Sequence, residues 1–107
     1  MPGVMQERRN SFRVTLIATA EVTEIDSGTR LSAQTSDISR NGCYVDTLNP
    51  TPPNTDVRIV ISHAGEELNV TGKIVYFSPR LGMGIRFDDD MPADQRAILE
   101  GWTADSK

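Results

Sequence analysis

Two short segments of this chain hold side chains suited to gripping an anion and to reading a polar heterocycle. The first is Glu7-Arg8-Arg9-Asn10-Ser11-Phe12-Arg13. Arg9 and Arg13 are four residues apart, so they share a face whether the segment is extended or helical. A guanidinium can hold a phosphate through two parallel hydrogen bonds and can also stack on a base. Alone, the spacing fits equally a basic tail that solubilises the start of a domain. The second segment is Asp37-Ile38-Ser39-Arg40-Asn41-Gly42. Strand alternation puts Asp37 and Ser39 on one face and Ile38 on the other. A carboxylate there accepts from both N1–H and N2–H₂ of guanine, an edge that adenine does not offer. Ser39 adds one donor and acceptor, and Gly42 permits a positive φ or a close backbone approach to a ring. Arg40 is either an extra ligand contact or a solvent-facing loop residue. Asp, Ser, Asn and Gly are also ordinary turn formers. Taken together, the two segments fit a ligand that carries phosphate and guanine in one compact body.

Composition narrows the alternatives. The 107 residues fit a single domain. With only Cys43 and His63 of their kinds, the chain can form neither an internal disulfide nor a cysteine-based zinc site. No nucleophile–base pair can be named, so the chain is expected not to be an enzyme, with no catalytic and no metal-binding residues and no cofactor. Cys43, beside Tyr44 and Val45, reads as a small buried hydrophobe. His63, before Ala64-Gly65, reads as a surface turn residue. The net charge of −4 disfavours a nucleic acid backbone as partner. Aromatic residues are only 6%, too few for the stacking platforms of a single-strand binder, so neither DNA nor RNA is expected. Three arginines against one glutamate in residues 1–20 make a cationic spot on an acidic body, which suits a compact anion. No apolar run approaches the ~20 residues that cross a bilayer, and no secretory leader is visible, so a cytoplasmic location without membrane insertion is expected.

Gly and Pro cut the chain into short segments that must position these residues. Phe12 to Glu24 reads as a strand rich in Val, Ile and Thr, turning at Asp26-Ser27-Gly28. Leu31 to Ile38 returns as a second strand and Cys43 to Asp46 forms a short third. Asn49-Pro50-Thr51-Pro52-Pro53-Asn54 must be a loop. Val57 to Ile61 and Leu68 to Phe77 flank a turn at Ala64-Gly65-Glu66, and Met83 to Phe87 is a sixth strand. Asp88-Asp89-Asp90-Met91-Pro92 reads as an acidic start signal for a short helix, whose dipole favours the three carboxylates. Ile98, Leu99 and Trp102 give that helix an apolar stripe. The fold class expected is all-β with a C-terminal helix, a six-stranded antiparallel β-barrel.

The ordered pair ERRNSFR and DISRNG resembles the RxxxR and [D/N]xSxxG signature of the PilZ domain family. Gly72-Lys73-Ile74-Val75-Tyr76 and Gly82-Met83-Gly84-Ile85-Arg86-Phe87 resemble that family's closing strands, and the likeness runs over residues 6–102. The resemblance implies a receptor for cyclic di-GMP, a bacterial second messenger. By it, Arg9 and Arg13 would grip phosphate and stack on guanine, Asp37 and Ser39 would read guanine, and Gly42 would keep the loop open. Arg8 occupies the position linked in relatives to one or two bound dinucleotides, and Arg40 would be a further contact. Residues 1–7 would be a flexible N-terminal tail and 8–107 a single PilZ-like domain. Ligand-induced ordering of the arginine segment would pass a signal to an unknown downstream protein. The alternative is a ligand-independent PilZ-type adaptor, as motif-poor relatives are.

Overall fold

A computed structural model describes residues 13–104. The chain runs through β1 (Val14–Thr15), β2 (Thr19–Glu24), β3 (Arg30–Ile38), β4 (Gly42–Asp46), β5 (Asp56–His63), β6 (Glu66–Ser78) and β7 (Gly82–Phe87) before the helix α1 (Ala93–Thr103). All pairings are antiparallel, in the order β1-β3-β2-β5-β6-β7-β4, and β3 pairs with β4 to close a six-stranded barrel. The two-residue β1 lies beside β3. Closure removes the open edges of a flat sheet.

The core is built by alternation. Leu16, Ala18, Ala20 and Val22 point inward and meet Ile59 and Ile61 of β5, Leu68, Val70 and Ile74 of β6, and Met83 and Ile85 of β7. The expected first strand is nonetheless two. Its ladder breaks at residues 16–18, where the side chain of Thr35 takes over. The fully buried Thr35 hydroxyl donates to the Leu16 carbonyl at 2.5 Å and accepts from the Ala18 amide at 3.1 Å. A polar side chain thus satisfies main-chain groups that would otherwise be buried without partners.

Two single-residue bulges decide which side chains the barrel turns outward. Along β3, Thr35 and Ile38 are both buried although they are three residues apart, which strict alternation forbids. The register with β4 shifts between Thr35 and Asp37, so Ser36 is the extra residue and Asp37 turns outward. Along β6, the register with β7 shifts between Ile74 and Tyr76. Val75 is the extra residue there, and Tyr76 turns outward opposite Gly84.

The helix protects an edge. Only Gly72 to Ser78 of β6 pair with β7, so Glu66 to Thr71 have β5 alone as strand partner. Gln95 of α1 accepts from the Asn69 amide at 2.7 Å through Oε1, and the Trp102 indole donates to Glu66 at 3.0 Å. Leu99 and Trp102 are buried against the barrel, with Ile98 partly so, as the apolar stripe requires. Two expectations are corrected here. His63 is not a free turn residue: it ends β5, and its ring meets Trp102 edge-on at 5.3 Å. Asp88 is not part of the helix start. Its carboxylate accepts from the Thr71 hydroxyl at 2.7 Å, and α1 begins only after Pro92, with Asp94 in its first turn. No helix among the described residues is long and apolar enough to cross a membrane.

Candidate functional site

Arg13 stands just before β1, and Asp37 is paired with Thr15 on one side and Tyr44 on the other. Because β1 is antiparallel to β3, the end of the arginine segment is delivered beside the polar loop. The Arg13 guanidinium meets the Asp37 carboxylate at 2.5 Å. Both groups are partly exposed, at 46% and 32%, so the pair sits at the surface, where a ligand can compete for either partner. The two segments singled out by sequence therefore touch.

The loop between β3 and β4 is tightly held. The Ser39 amide donates to the Gly42 carbonyl at 2.8 Å, and the Asn41 amide donates to the Ser39 hydroxyl at 3.2 Å. The Asn41 carbonyl in turn accepts from the Phe87 amide at 2.8 Å, which fastens the loop to the end of β7. Ser39 is only 2% exposed, so it is as much a staple of the turn as a face residue. Of the two roles expected for Gly42, a positive φ is not the one it takes. Its backbone is not left-handed; φ is positive only at Gly28 and Gly65 among the described glycines. Glycine is needed because a Cβ would lie 2.1 Å from the Ile85 carbonyl oxygen across the β4–β7 ladder.

Beside this loop is an open cavity of about 170 Å³, bordered by Arg13, Ser39, Asn41, Gly42, Tyr76 and Arg86. Asp37 reaches it through its ion pair with Arg13. Sequence reasoning missed Tyr76 and Arg86. Tyr76 falls in a strand whose alternation gives it no special role, and only the Val75 bulge turns it out. Its ring lies across Gly84, where a Cβ would stand 2.5 Å from it, and at 6.1 Å from the Tyr44 ring. The exposed Arg86 lies opposite Gly42 on β4 and Lys73 on β6. Alternation does mark Arg86 as outward-facing, between inward Ile85 and Phe87, but nothing in the spacing ties it to the two motifs.

Other sequence candidates fall elsewhere. Arg8 and Arg9 lie outside the described residues. Arg40 borders a different depression with Glu100 and Thr103, and its guanidinium is 4.0 Å from Glu100. Cys43 is buried behind the loop. Burial first, then the Asp37 charge, push its thiol up to about 12, with Arg13 opposing, so the protonated form is favoured and nucleophilic chemistry is not. Among the described residues no group of three or more His, Cys, Asp or Glu could hold a metal ion.

The arrangement offers a cationic rim, a polar turn and an aromatic wall around a shallow seat. Its volume is below the ~300 Å³ at the low end for enclosing a small molecule.

No curated protein matches the chain in sequence. Solved structures resemble it closely in fold. The PilZ domain of CeSA from a cellulose-synthesizing bacterium is 24% identical, with a TM-score of 0.70 over 88% of this chain and 96% of that one. The PilZ domain of YcgR from Escherichia coli, solved with c-di-GMP, is 13% identical, with a TM-score of 0.73 over 91% and 89%. PlzA from Borreliella burgdorferi, solved in complex with c-di-GMP, is 18% identical, with a TM-score of 0.59 over 92% of this chain but only 36% of its own. The family model described as the PilZ domain matches residues 7–105, nearly the full length, and with the barrel it shows that this chain belongs to the PilZ domain family.

Proposed function

We propose that this chain is a receptor for cyclic di-GMP, acting as a binding module without catalysis of its own. The observation that carries the reading is the contact between Arg13 and Asp37 at the rim of the cavity, which joins the arginine segment to the DISRNG loop. The c-di-GMP in the structures of the YcgR PilZ domain and of PlzA supports it. On this reading the ligand exchanges the Arg13–Asp37 contact for two better ones. Arg13, with Arg9 and Arg8 from the preceding residues, takes phosphate and stacks on guanine. Asp37 accepts from the guanine edge, Ser39 adds a hydrogen bond, and Gly42 holds the loop against β7. Ordering the arginine segment costs about 1–2 kcal/mol per residue, offset by charge-assisted hydrogen bonds. The reordered surface is then read by a downstream protein.

Calorimetric titration of the full chain with cyclic di-GMP tests this directly. The expected result is micromolar or tighter binding, much weaker binding of GTP and cyclic AMP, and NMR shifts at Arg9, Arg13 and Asp37. Arg13→Ala should abolish the heat. No heat from the unaltered chain, with those resonances unmoved, would reject the receptor in favour of a ligand-independent adaptor.

A further inference from the structure

Arg86 is a cation that the barrel places at some cost. It is exposed, it borders the cavity, and its guanidinium makes no hydrogen bond or ion pair among the described residues. In register it stands between Gly42, which has no side chain, and Lys73, which carries the same charge. Like charges directly opposite on neighbouring strands are destabilising. Lys73 is relieved by its ion pair with Asp56 at 2.9 Å, but among the described residues Arg86 has no such relief. Gly42, its partner on β4, puts no side chain beside it, and the Tyr76 ring, packed over Gly84, borders the same cavity. Asp88, two residues on, is engaged by the Thr71 hydroxyl. Among the described residues Arg86 thus has no ion-pair partner, and it stands on the wall of a cavity bordered by a second arginine, where an anion can pair with it.

We infer that Arg86 is an anion-binding residue of this site, facing Arg13 across the cavity and taking a phosphodiester of the bound dinucleotide. This deepens the receptor reading and rests on it for the identity of the ligand, though not for the anion. Arg13 approaches from the N-terminal segment, whereas Arg86 is built into β7. It therefore provides a phosphate contact fixed by the barrel itself. An arginine suits the task because its planar fork can pair with two phosphate oxygens at once.

The test uses the full chain as wild type, R86Q and R86K. In titrations with cyclic di-GMP, R86Q should weaken binding about ten- to a hundredfold, the loss expected for a charge-assisted contact. R86K should fall between, and the salt dependence of affinity should be shallower in R86Q. The ligand-free R86Q should melt no lower than wild type, because a like-charge contact with Lys73 is removed. In parallel, inorganic pyrophosphate should shift the Arg86 Nε–H resonance of the wild type in a saturable way. If cyclic di-GMP binds R86Q and wild type equally, with the same salt dependence, the inference is overturned while the receptor reading stands. If R86Q melts well below wild type and R86K binds no better than R86Q, Arg86 is structural and the inference is likewise lost. A pyrophosphate shift without any cyclic di-GMP binding would overturn the receptor reading and leave the anion site. Neither response would overturn both.

Discussion

Replacing Gly42 by alanine separates two explanations of the same residue. If Gly42 serves mainly to keep the loop open for a ligand, the variant should fold normally and bind poorly. The structure assigns it a different burden. A Cβ at residue 42 would stand 2.1 Å from the Ile85 oxygen and 3.1 Å from the Arg86 Cα. The first distance is more than about 1 Å inside an ordinary carbon–oxygen contact. Both partners are main chain, so no side-chain rotation relieves the overlap, and the ladder from Gly42↔Arg86 to Asp46↔Gly82 must open at its first rung. Overpacking costs about 1–3 kcal/mol where neighbours can yield, and a backbone contact belongs at the upper end. For a domain near 100 residues each kcal/mol shifts the melting temperature by about 4–8 °C. The ligand-free Gly42→Ala variant should therefore melt on the order of 10–20 °C below wild type by far-UV circular dichroism. Its urea midpoint should fall at unchanged slope. A variant that melts within about 2 °C of wild type, yet has lost ligand binding, would refute this reasoning and return Gly42 to a purely ligand-facing role.

Other sites carry their own expected outcomes. Thr35→Val keeps the shape but strips the partner from the Leu16 carbonyl and the Ala18 amide, costing about 2–4 kcal/mol in urea unfolding; Thr35→Ser should recover most of it. Equal midpoints for Thr35→Val and wild type would contradict the account of the broken first strand. Ala64 holds φ 53° in the two-residue turn between His63 and Glu66, so Ala64→Asn should raise the melting temperature by a few degrees, and a fall would show the turn chemistry misread. Cys43 should resist thiol reagents at pH 8 until urea unfolds the chain. Its folded pKa is raised from 9.0 to about 12, so its contribution to stability is complete below pH 9 and is lost as pH climbs towards 12. The unfolding free energy of wild type relative to Cys43→Ala should fall across that window; a flat difference would mean that the thiol is not desolvated.

The barrel is legible in the sequence because its strands carry their own punctuation. Gly28 and Gly65 take the positive φ that the turns need, and the proline-rich stretch from Asn49 to Asn54 separates β4 from β5 as proline must. The stripe of Leu99 and Trp102 reveals the helix, but not where it starts. Asp88 resembles part of the helix start because aspartate favours a helix N-terminus, and only the Thr71 hydroxyl, seventeen residues back in sequence, shows what holds it. His63 misleads for the same reason, since its partner Trp102 is distant in the chain. The outward face of Asp37 rests on an argument that is only locally right. Alternation from Ile38 gives that face, whereas alternation from Thr35 gives the opposite one.

That contradiction has a structural meaning. A strictly alternating barrel offers the solvent one side chain in two, in rows fixed by the hydrogen-bond register. Bulges at Ser36 and Val75 each add one residue and change which side chains those rows contain. They turn Asp37 and Tyr76 outward while Ile38 and Ile74 stay fully buried. The resulting row runs Asp37, Tyr44, Gly84, Tyr76 across β3, β4, β7 and β6, with Arg13 fastened at one end by Asp37. Without the first bulge, keeping Thr35 inside would bury the Asp37 carboxylate, and a core of this size would have nothing to pair it with. Without the second, Tyr76 would compete for the interior with Met83. Each bulge interrupts a ladder, a local loss of regular pairing; Val75 itself borders the cavity, and Ser36 precedes the Asp37 that pairs with Arg13 at its rim. The departures from regular pattern in β3 and β6 thus set which side chains face the cavity and its rim. Residues at such parity breaks are the ones to alter when the cavity is to be reshaped without disturbing the barrel.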